Sequence, residues 1–311
     1  MIASKPPRGY AIPNGVNAAI VLLQLAGFAV AVFLAARLTI WWHVVLLALA
    51  FGLYMNSVYS IIHEAEHGIL LSNRRLNDAV GMLMALLFPA PFHLIRQGHI
   101  GHHLRNRSDD EAFDLYFDGE HVVWKHLQLY GILTGMYYLV VVLSNLVVLV
   151  VPYVMNRKHF AFDRPSAAFM ASLNPGRIRI IQYEGLAAIL LHAAVIWLLH
   201  IPLWHYLAMY ASFGFMWSAM QYVHHYGTER HVTRGARNLW IFAPLDRLWL
   251  NHNWHQTHHE HPTIPWPFLP AVGRTENPRR GFLPWAYLRM WRGPRHTHEH
   301  VENKYAGRIV D

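Results

Sequence analysis

Apolar residues in this chain fall in long unbroken blocks, not in strand-like alternation. Residues 16–36 and 43–62 are each about twenty residues long, enough for an α-helix to cross the hydrocarbon core of a bilayer. The short turn between them carries Trp41 and Trp42, residue types that settle at the membrane–water interface. A third block, 79–95, is shorter and is interrupted by Pro89 and Pro91. Residues 128–155 form a fourth. A polar segment, 156–179, separates it from two further span-length blocks, 180–200 and 203–223, joined at Ile201-Pro202. From Tyr226 onward the composition is that of a soluble protein, with a proline-rich run at Pro262, Pro265, Pro267 and Pro270. The pattern predicts an all-α integral membrane protein forming one domain over 1–311. About four transmembrane helices (16–36, 43–62, 180–200, 203–223) carry interfacial or re-entrant helices and a cap drawn from 63–127, 156–179 and 224–311.

Composition supports this reading. Of the 311 residues, 54% are hydrophobic and 14% charged, against roughly 25% charged in soluble domains. The chain has no cysteine, which excludes disulfides, iron–sulfur clusters, a haem thiolate and a fused rubredoxin. A net charge of +8 makes the exposed parts basic, suited to anionic lipid headgroups or an acidic partner protein. No nucleic-acid partner is expected, because the basic residues are scattered between apolar blocks. Lys5 and Arg8 precede the first block, and no small-residue cleavage site follows it, so it reads as a retained anchor.

Twenty-four histidines change the picture more than anything else. They cluster as His63-Glu64-Ala65-Glu66-His67, as His99-Ile100-Gly101-His102-His103, and as five histidines in the stretch 252–261, each cluster following an apolar segment. A neutral imidazole offers one lone pair to a metal, so a pocket built from three such clusters is a candidate metal site. His63 and His67 are spaced i, i+4, and His99, His102 and His103 i, i+3, i+4, so each cluster presents one helical face. If the clusters share a site, an even number of crossings separates them. Residues 79–95 and 128–155 are then re-entrant or surface-lying, which the prolines permit in the first. The loop holding Arg157, Lys158, Arg164, Arg177 and Arg179 marks the cytoplasmic side. Both termini and all histidine clusters lie there, in the inner membrane of a bacterium.

Two other chemistries fit parts of this pattern. His63-Glu64-x-x-His67 also fits H-E-x-x-H, the zinc protease signature with Glu64 as base. One zinc takes about four ligands, however, and leaves the other clusters unexplained. A bis-histidine haem would use histidines within the spans. His192, His200 and His205 lie in or near spans and read as structural or interfacial. His296, His298 and His300 in the tail read as exposed.

The ordered series H-x-x-x-H, H-x-x-H-H, H-x-x-H-H, with Gly68 after the first box and each box at a membrane exit, resembles the membrane fatty acid desaturase and hydroxylase superfamily. The likeness runs from about residue 62 to 262 and implies a di-iron centre held by His63, His67, His99, His102, His103, His255, His258 and His259. A ninth ligand comes from Gln221-Tyr222-Val223-His224-His225-Tyr226-Gly227. That segment is similar both to the H-x-Y-G of acyl-CoA desaturases, which selects His224, and to the E-H-Y-G of alkane hydroxylases, which selects His225. His224 is preferred, with His225 as the alternate. The resemblance further implies two iron ions, O2 as co-substrate, a fatty acyl or other lipid substrate, and desaturation of an unactivated C–H pair. Hydroxylation, ketolation or decarboxylation to a terminal alkene occur on the same scaffold. It also implies a separate electron donor of ferredoxin or cytochrome type, docked on the basic face with Arg237, Arg247, Arg279 and Arg280 as candidates. Carboxylates to orient the ligands would come from Asp109, Asp110, Glu111, Asp114, Asp246, Glu260, Glu64 or Glu66. Tyr54, Met55, Met216, Trp217 and Met220 are candidates for a substrate tunnel.

Overall fold

A computed structural model describes residues 6, 7 and 9–311; Lys5 and Arg8, the flank of the expected anchor, lie outside them. Among the described residues the chain is 64% helical, and its four strands are two or three residues long, so the expected all-α architecture is what forms.

Helices α1 (Asn14–Arg37) and α2 (Trp41–Glu66) make an antiparallel hairpin. Polar groups inside it find one another: Gln24 donates to Ser57 Oγ at 2.9 Å and Asn17 to the Leu70 carbonyl at 2.7 Å. At 1.5 Å per residue α2 is about 39 Å long, more than a hydrocarbon core of about 30 Å requires. Its first half shows Val45, Leu46 and Leu49 to lipid, whereas every residue from Met55 to Glu66 is buried. The buried end carries the first histidine box.

Asn73 caps α3 (Arg74–Leu87), accepting from the Leu76 N–H at 3.1 Å. The chain then bends by 102° into α4 (Phe92–Arg105). Asn77, near the start of the pair, donates to the Ala65 carbonyl at 3.0 Å. The second box, near its end, returns to the same end of α2. Both ends of the bent pair therefore lie beside the same end of α2. Breaking a helix inside a bilayer frees carbonyls that lipid cannot satisfy. Here side chains from later helices cap them: His192 on Leu86, Tyr210 on Leu87 at 2.9 Å, Tyr138 on Phe88, and Asn145 on Pro89.

The second bent pair is α5 (Val122–Thr134) and α6 (Met136–Val150), joined at 93° through Gly135. This helix begins at Val122, six residues before the apolar block expected from 128. Gly135 has φ +91°, and a Cβ there would stand 3.0 Å from Phe215 Cα, so both conformation and close approach require glycine. Gln182 donates to the Val148 carbonyl at 3.1 Å, bringing the end of α6 back to the side on which α8 begins.

After α7 (Arg164–Ser172), helices α8 (Ile178–Leu198) and α9 (Leu203–Val223) form the second hairpin. Three stretches combine span length with strong apolarity: α1, α2 and Pro175–Leu198; the two bent pairs would bring the number to five if each crossed as one. Helix α9 is long enough but less apolar, carrying His205, Tyr206, Tyr210, Ser212 and Ser218. Protein covers most of it: Gly52 of α2 sits against Ser212, and Ser218 donates to the Ile132 carbonyl.

The cap holds α10 (Ala243–Leu248), α11 (His255–Glu260), α12 (Leu269–Glu276) and α13 (Leu283–Met290). Strand β1 (Leu115–Tyr116) pairs in parallel with β4 (Arg295–His296), and β2 (Asn238–Trp240) with β3 (Arg280–Phe282). The proline-rich run clasps the membrane helices through Trp266, whose backbone N–H donates to Glu64 and whose indole donates to Asn17 at 2.9 Å.

Candidate metal centre

The ends of α2 and α9, the helix α4 and the helix α11 converge under the cap. There, imidazole nitrogens gather into two groups. One holds His63, His67, His99, His103 and His258; the other holds His102, His225, His255 and His259. Within each group the candidate ligand atoms all lie within 4.8 Å of one another. The groups adjoin, with His103 and His259 stacked at 4.3 Å between ring centroids.

Helix geometry explains how three boxes serve two groups. Residues four apart stay on one face, and adjacent residues diverge by about 100°. In α4 the i, i+4 pair His99 and His103 therefore joins the first group, and His102 turns to the second. In α11 the pair His255 and His259 joins the second, and His258 turns to the first. Each H-x-x-H-H box thus contributes to both groups, while His63 and His67 stay together in one.

The nitrogens sit at distances that fit a shared metal. Nε2 of His67 lies 2.7 Å from that of His99, His103 3.1 Å from His99, and His258 3.0 Å from His103. In the other group His225 lies 3.0 Å from His255 and His102 3.3 Å from His259. Metal–imidazole bonds of about 2.1 Å set at right angles hold their nitrogens about 3 Å apart. Neutral imidazole has one N–H, so five converging rings cannot all satisfy each other by hydrogen bonds; Nε2 of His63 is buried with no such partner among the described residues. Burial first, and neighbouring imidazoles second, push His255, His258 and His259 well below the ordinary histidine pKa. They are neutral at pH 7, with lone pairs available.

At the ninth position the geometry places His225, and not the preferred His224, among the grouped rings. Both are fully buried. His225 Nδ1 meets the Gly235 carbonyl at 2.8 Å, which makes Nδ1 the protonated nitrogen and aims Nε2 inward. His224 turns its Nε2 to Asn253 Oδ1 at 3.2 Å; Asn253 in turn donates to Asp246, which Arg280 holds at 2.6 Å. Both local motifs occur in one segment, so only the placement of residues 235 and 253 separates the two histidines.

Of the eight carboxylates considered, Glu111 is the one that reaches a grouped histidine by hydrogen bond, at His102 Nδ1; Arg105 Nε donates to its other oxygen at 3.0 Å. Asp109 is held by Arg230 and His300, and Asp110 by Arg164. Glu260 accepts from Asn277, and Glu64 accepts the Trp266 N–H, away from the water-activating role a protease needs. Glu66 is buried with neither oxygen paired among the described residues.

Asp114 does something sequence reasoning missed. Fully buried, it pairs with Arg107, accepts from Tyr222 Oη at 2.6 Å and from the Gly227 N–H at 2.7 Å, and so locks the end of α4 to the turn that presents His225. His192 and His205 bond Tyr206 and the Ala35 carbonyl, far from any paired-ring haem arrangement. His296, His298 and His300 are exposed, as expected.

Tyr54 bonds the Gln24 carbonyl between helices, and Met55 is wholly enclosed. Met220 lines a water-sized cavity with Asn56, Tyr59, Ser60, Gln221, Trp249 and His252. Ser60 and His252 also line a second small cavity that reaches His63 and His258.

Fold and site together define a helical membrane protein whose clustered imidazoles are able to hold metal ions. The chain belongs to the fatty acid desaturase family: the profile of that family, described as "Fatty acid desaturase", matches residues 40–294, from the start of α2 to just beyond α13, and takes in all nine grouped histidines. It is accordingly an oxidoreductase of the desaturase and hydroxylase type, set in a membrane and directed at lipid. No curated protein matches the chain.

Proposed function

We propose that the protein is a di-iron fatty acyl desaturase. The observation that carries this reading is the pair of adjoining imidazole groups, five and four rings, at the inner end of a lipid-embedded bundle. His63, His67, His99, His103 and His258 would hold one iron, and His102, His225, His255 and His259 the other. When bound, the irons supply the O2-derived oxidant that removes hydrogen from an unactivated C–H bond. Glu111 holds His102 in orientation, and the Gly235 carbonyl does the same for His225. The acyl chain would pass Tyr59 and Ser60 toward His63, beside two water-sized cavities, one between α2 and α9 and one between α2 and the cap. Aromatic packing of Trp217 against Tyr59, Phe88 and Tyr138 keeps water from that path.

Having no cysteine, the chain draws its electrons from a separate acidic donor of ferredoxin or cytochrome type. Exposed Arg247 and Arg279, beside Arg280 stacked at 4.2 Å on Trp254, give that donor a basic face next to His255. The test is turnover of a deuterated fatty acid with such a donor, read by mass. Loss of two hydrogens at unchanged carbon number is the expected product, with turnover slowed by salt, since exposed charge is screened over about 8 Å at physiological ionic strength. Gain of one oxygen would make the enzyme a hydroxylase, and a hydrocarbon one carbon shorter a decarboxylase forming a terminal alkene. Oxidation of an isoprenoid with no acyl product would replace the substrate class.

The histidine boxes and both termini face the cytoplasm in this reading. With no native cysteine to interfere, single cysteines at Lys158 and Glu276 are expected to label only from the cytoplasmic side, and one at Pro202 only from the other. Labelling of position 158 from outside would reverse the orientation.

A further inference from the structure

Helix α13 is the part of the cap that descends beside the membrane helices. Its Tyr287 donates to the Leu133 carbonyl at 3.2 Å and packs on Phe215 with ring centroids 6.2 Å apart. Phe215 is eight residues before the end of α9, about 12 Å down the helix axis, and is itself open to lipid at 44% exposure. Away from these contacts α13 exposes Trp285 and Leu288, and Trp291, just past its end and also part-exposed, packs on Tyr287 and Tyr130. A helix with a tryptophan-bearing open face at this depth lies in the interfacial layer of the bilayer.

Four arginines surround the end of this helix: Arg289, Arg292 and Arg295 exposed, and Arg237 half-buried. None of them forms an ion pair with a carboxylate among the described residues, although Arg107, Arg164, Arg230 and Arg280 nearby in the cap all do. A Cβ on Gly227 would stand 3.6 Å from a guanidinium nitrogen of Arg295 and 3.9 Å from one of Arg237, so these two cations crowd the same turn. Burial lowers the pKa of Arg237, the positive charges of Arg289 and Arg107 lower it further, and Asp114, which is already paired with Arg107, raises it. Like charges with no ion-pair partner of their own, beside exposed tryptophans, are arranged for an anion supplied by the membrane.

We propose that α13 with Arg237, Arg289, Arg292 and Arg295 is a binding site for the phosphate of an anionic phospholipid. The lipid seats the cap on the bilayer next to the turn that carries His225. The site goes beyond the oxidation chemistry and does not depend on it. The experiment is native mass spectrometry of the full-length, detergent-purified protein titrated separately with phosphatidylglycerol and phosphatidylcholine. The unaltered protein is expected to retain phosphatidylglycerol preferentially. In the double variant Arg289→Gln/Arg292→Gln, phosphatidylglycerol binding should weaken by about fivefold per arginine, the effect of ~1 kcal/mol per cation beside anionic headgroups, with phosphatidylcholine unchanged. Arg274→Gln, on exposed α12, should leave both lipids unaffected, and Trp285→Ser should weaken both alike. The proposal is overturned if the unaltered protein shows no headgroup preference, or if the double variant binds phosphatidylglycerol as well as the unaltered protein does. It is likewise overturned if the double variant loses only an acidic ferredoxin, which would make the patch a protein-docking surface.

Discussion

Alanine at His103 or His259 will abolish turnover and remove metal from the purified protein. Each residue contributes a nitrogen at the junction of the two imidazole groups, where His103 and His259 stack. Removing either takes a donor from one group and unseats a neighbour of the other. Metal content read by elemental analysis is expected to fall from about two irons per chain to one or fewer, without loss of the membrane-inserted fold. The same measurement separates the two histidines at the end of α9. His225→Ala should behave like His103→Ala. His224→Ala should retain iron, because its imidazole is spent on Asn253. Glu111→Gln should weaken metal binding by about 10- to 100-fold, the usual cost of removing a partner that orients a ligand. One zinc per chain in an active preparation, with no iron requirement, would sink the di-iron reading.

The second large effect concerns stability. Arg107 and Asp114 are a wholly buried ion pair, with Tyr222, Gly227 and the Thr228 carbonyl as further hydrogen-bond partners and Arg107 Nε unpaired among the described residues. Asp114→Ala leaves a guanidinium uncompensated in the interior and should cost about 3–5 kcal/mol. Arg164→Ala breaks pairs with Asp109 and Asp110 that are half open to water, and should cost at most about 1 kcal/mol. Thermal unfolding in detergent reads both. Equal, small losses would show that the buried pair does not anchor the His225 turn. Combining Arg107→Met with Asp114→Leu should recover much of the loss, because an apolar pair removes the stranded charge altogether.

Much of this arrangement is written in the chain as hydrophobic blocks and box spacing. Blocks of twenty apolar residues have one economical fate in a bilayer, and Pro89 with Pro91 rule out an unbroken helix between the first two boxes. The start of α5 was less legible, because Lys125 and His126 interrupt the apolar signal there; Lys125 is buried only because Glu120 folds back to pair with it. Helix α9 is the converse case. Its tyrosines and serines weaken the membrane signal, and they are tolerated because Ser218 donates to the Ile132 carbonyl of α5, Tyr210 to the Leu87 carbonyl of the α3–α4 break, and Tyr206 bonds His192 of α8. Within the site, the boxes named eight of the nine grouped histidines. The ninth depended on where a carbonyl at residue 235 and an amide at residue 253 come to lie, which no local motif contains. The same holds for the carboxylates: eight are near enough in sequence to serve, and the folded acidic loop gives His102 to Glu111 while committing Asp114 to Arg107.

One iron-sized group of imidazoles joins His63 to His258. On a translating ribosome the second of these emerges roughly 195 residues after the first, some 10–40 s later at 5–20 residues per second. By residue 103 the nascent chain holds four of that group's five imidazoles but one of the other group's four. Both groups are therefore complete only when His259 has been made, after α9, the last of the long apolar helices. Under the di-iron proposal, iron supply would then set the yield of finished enzyme without changing how much of the polypeptide reaches the membrane.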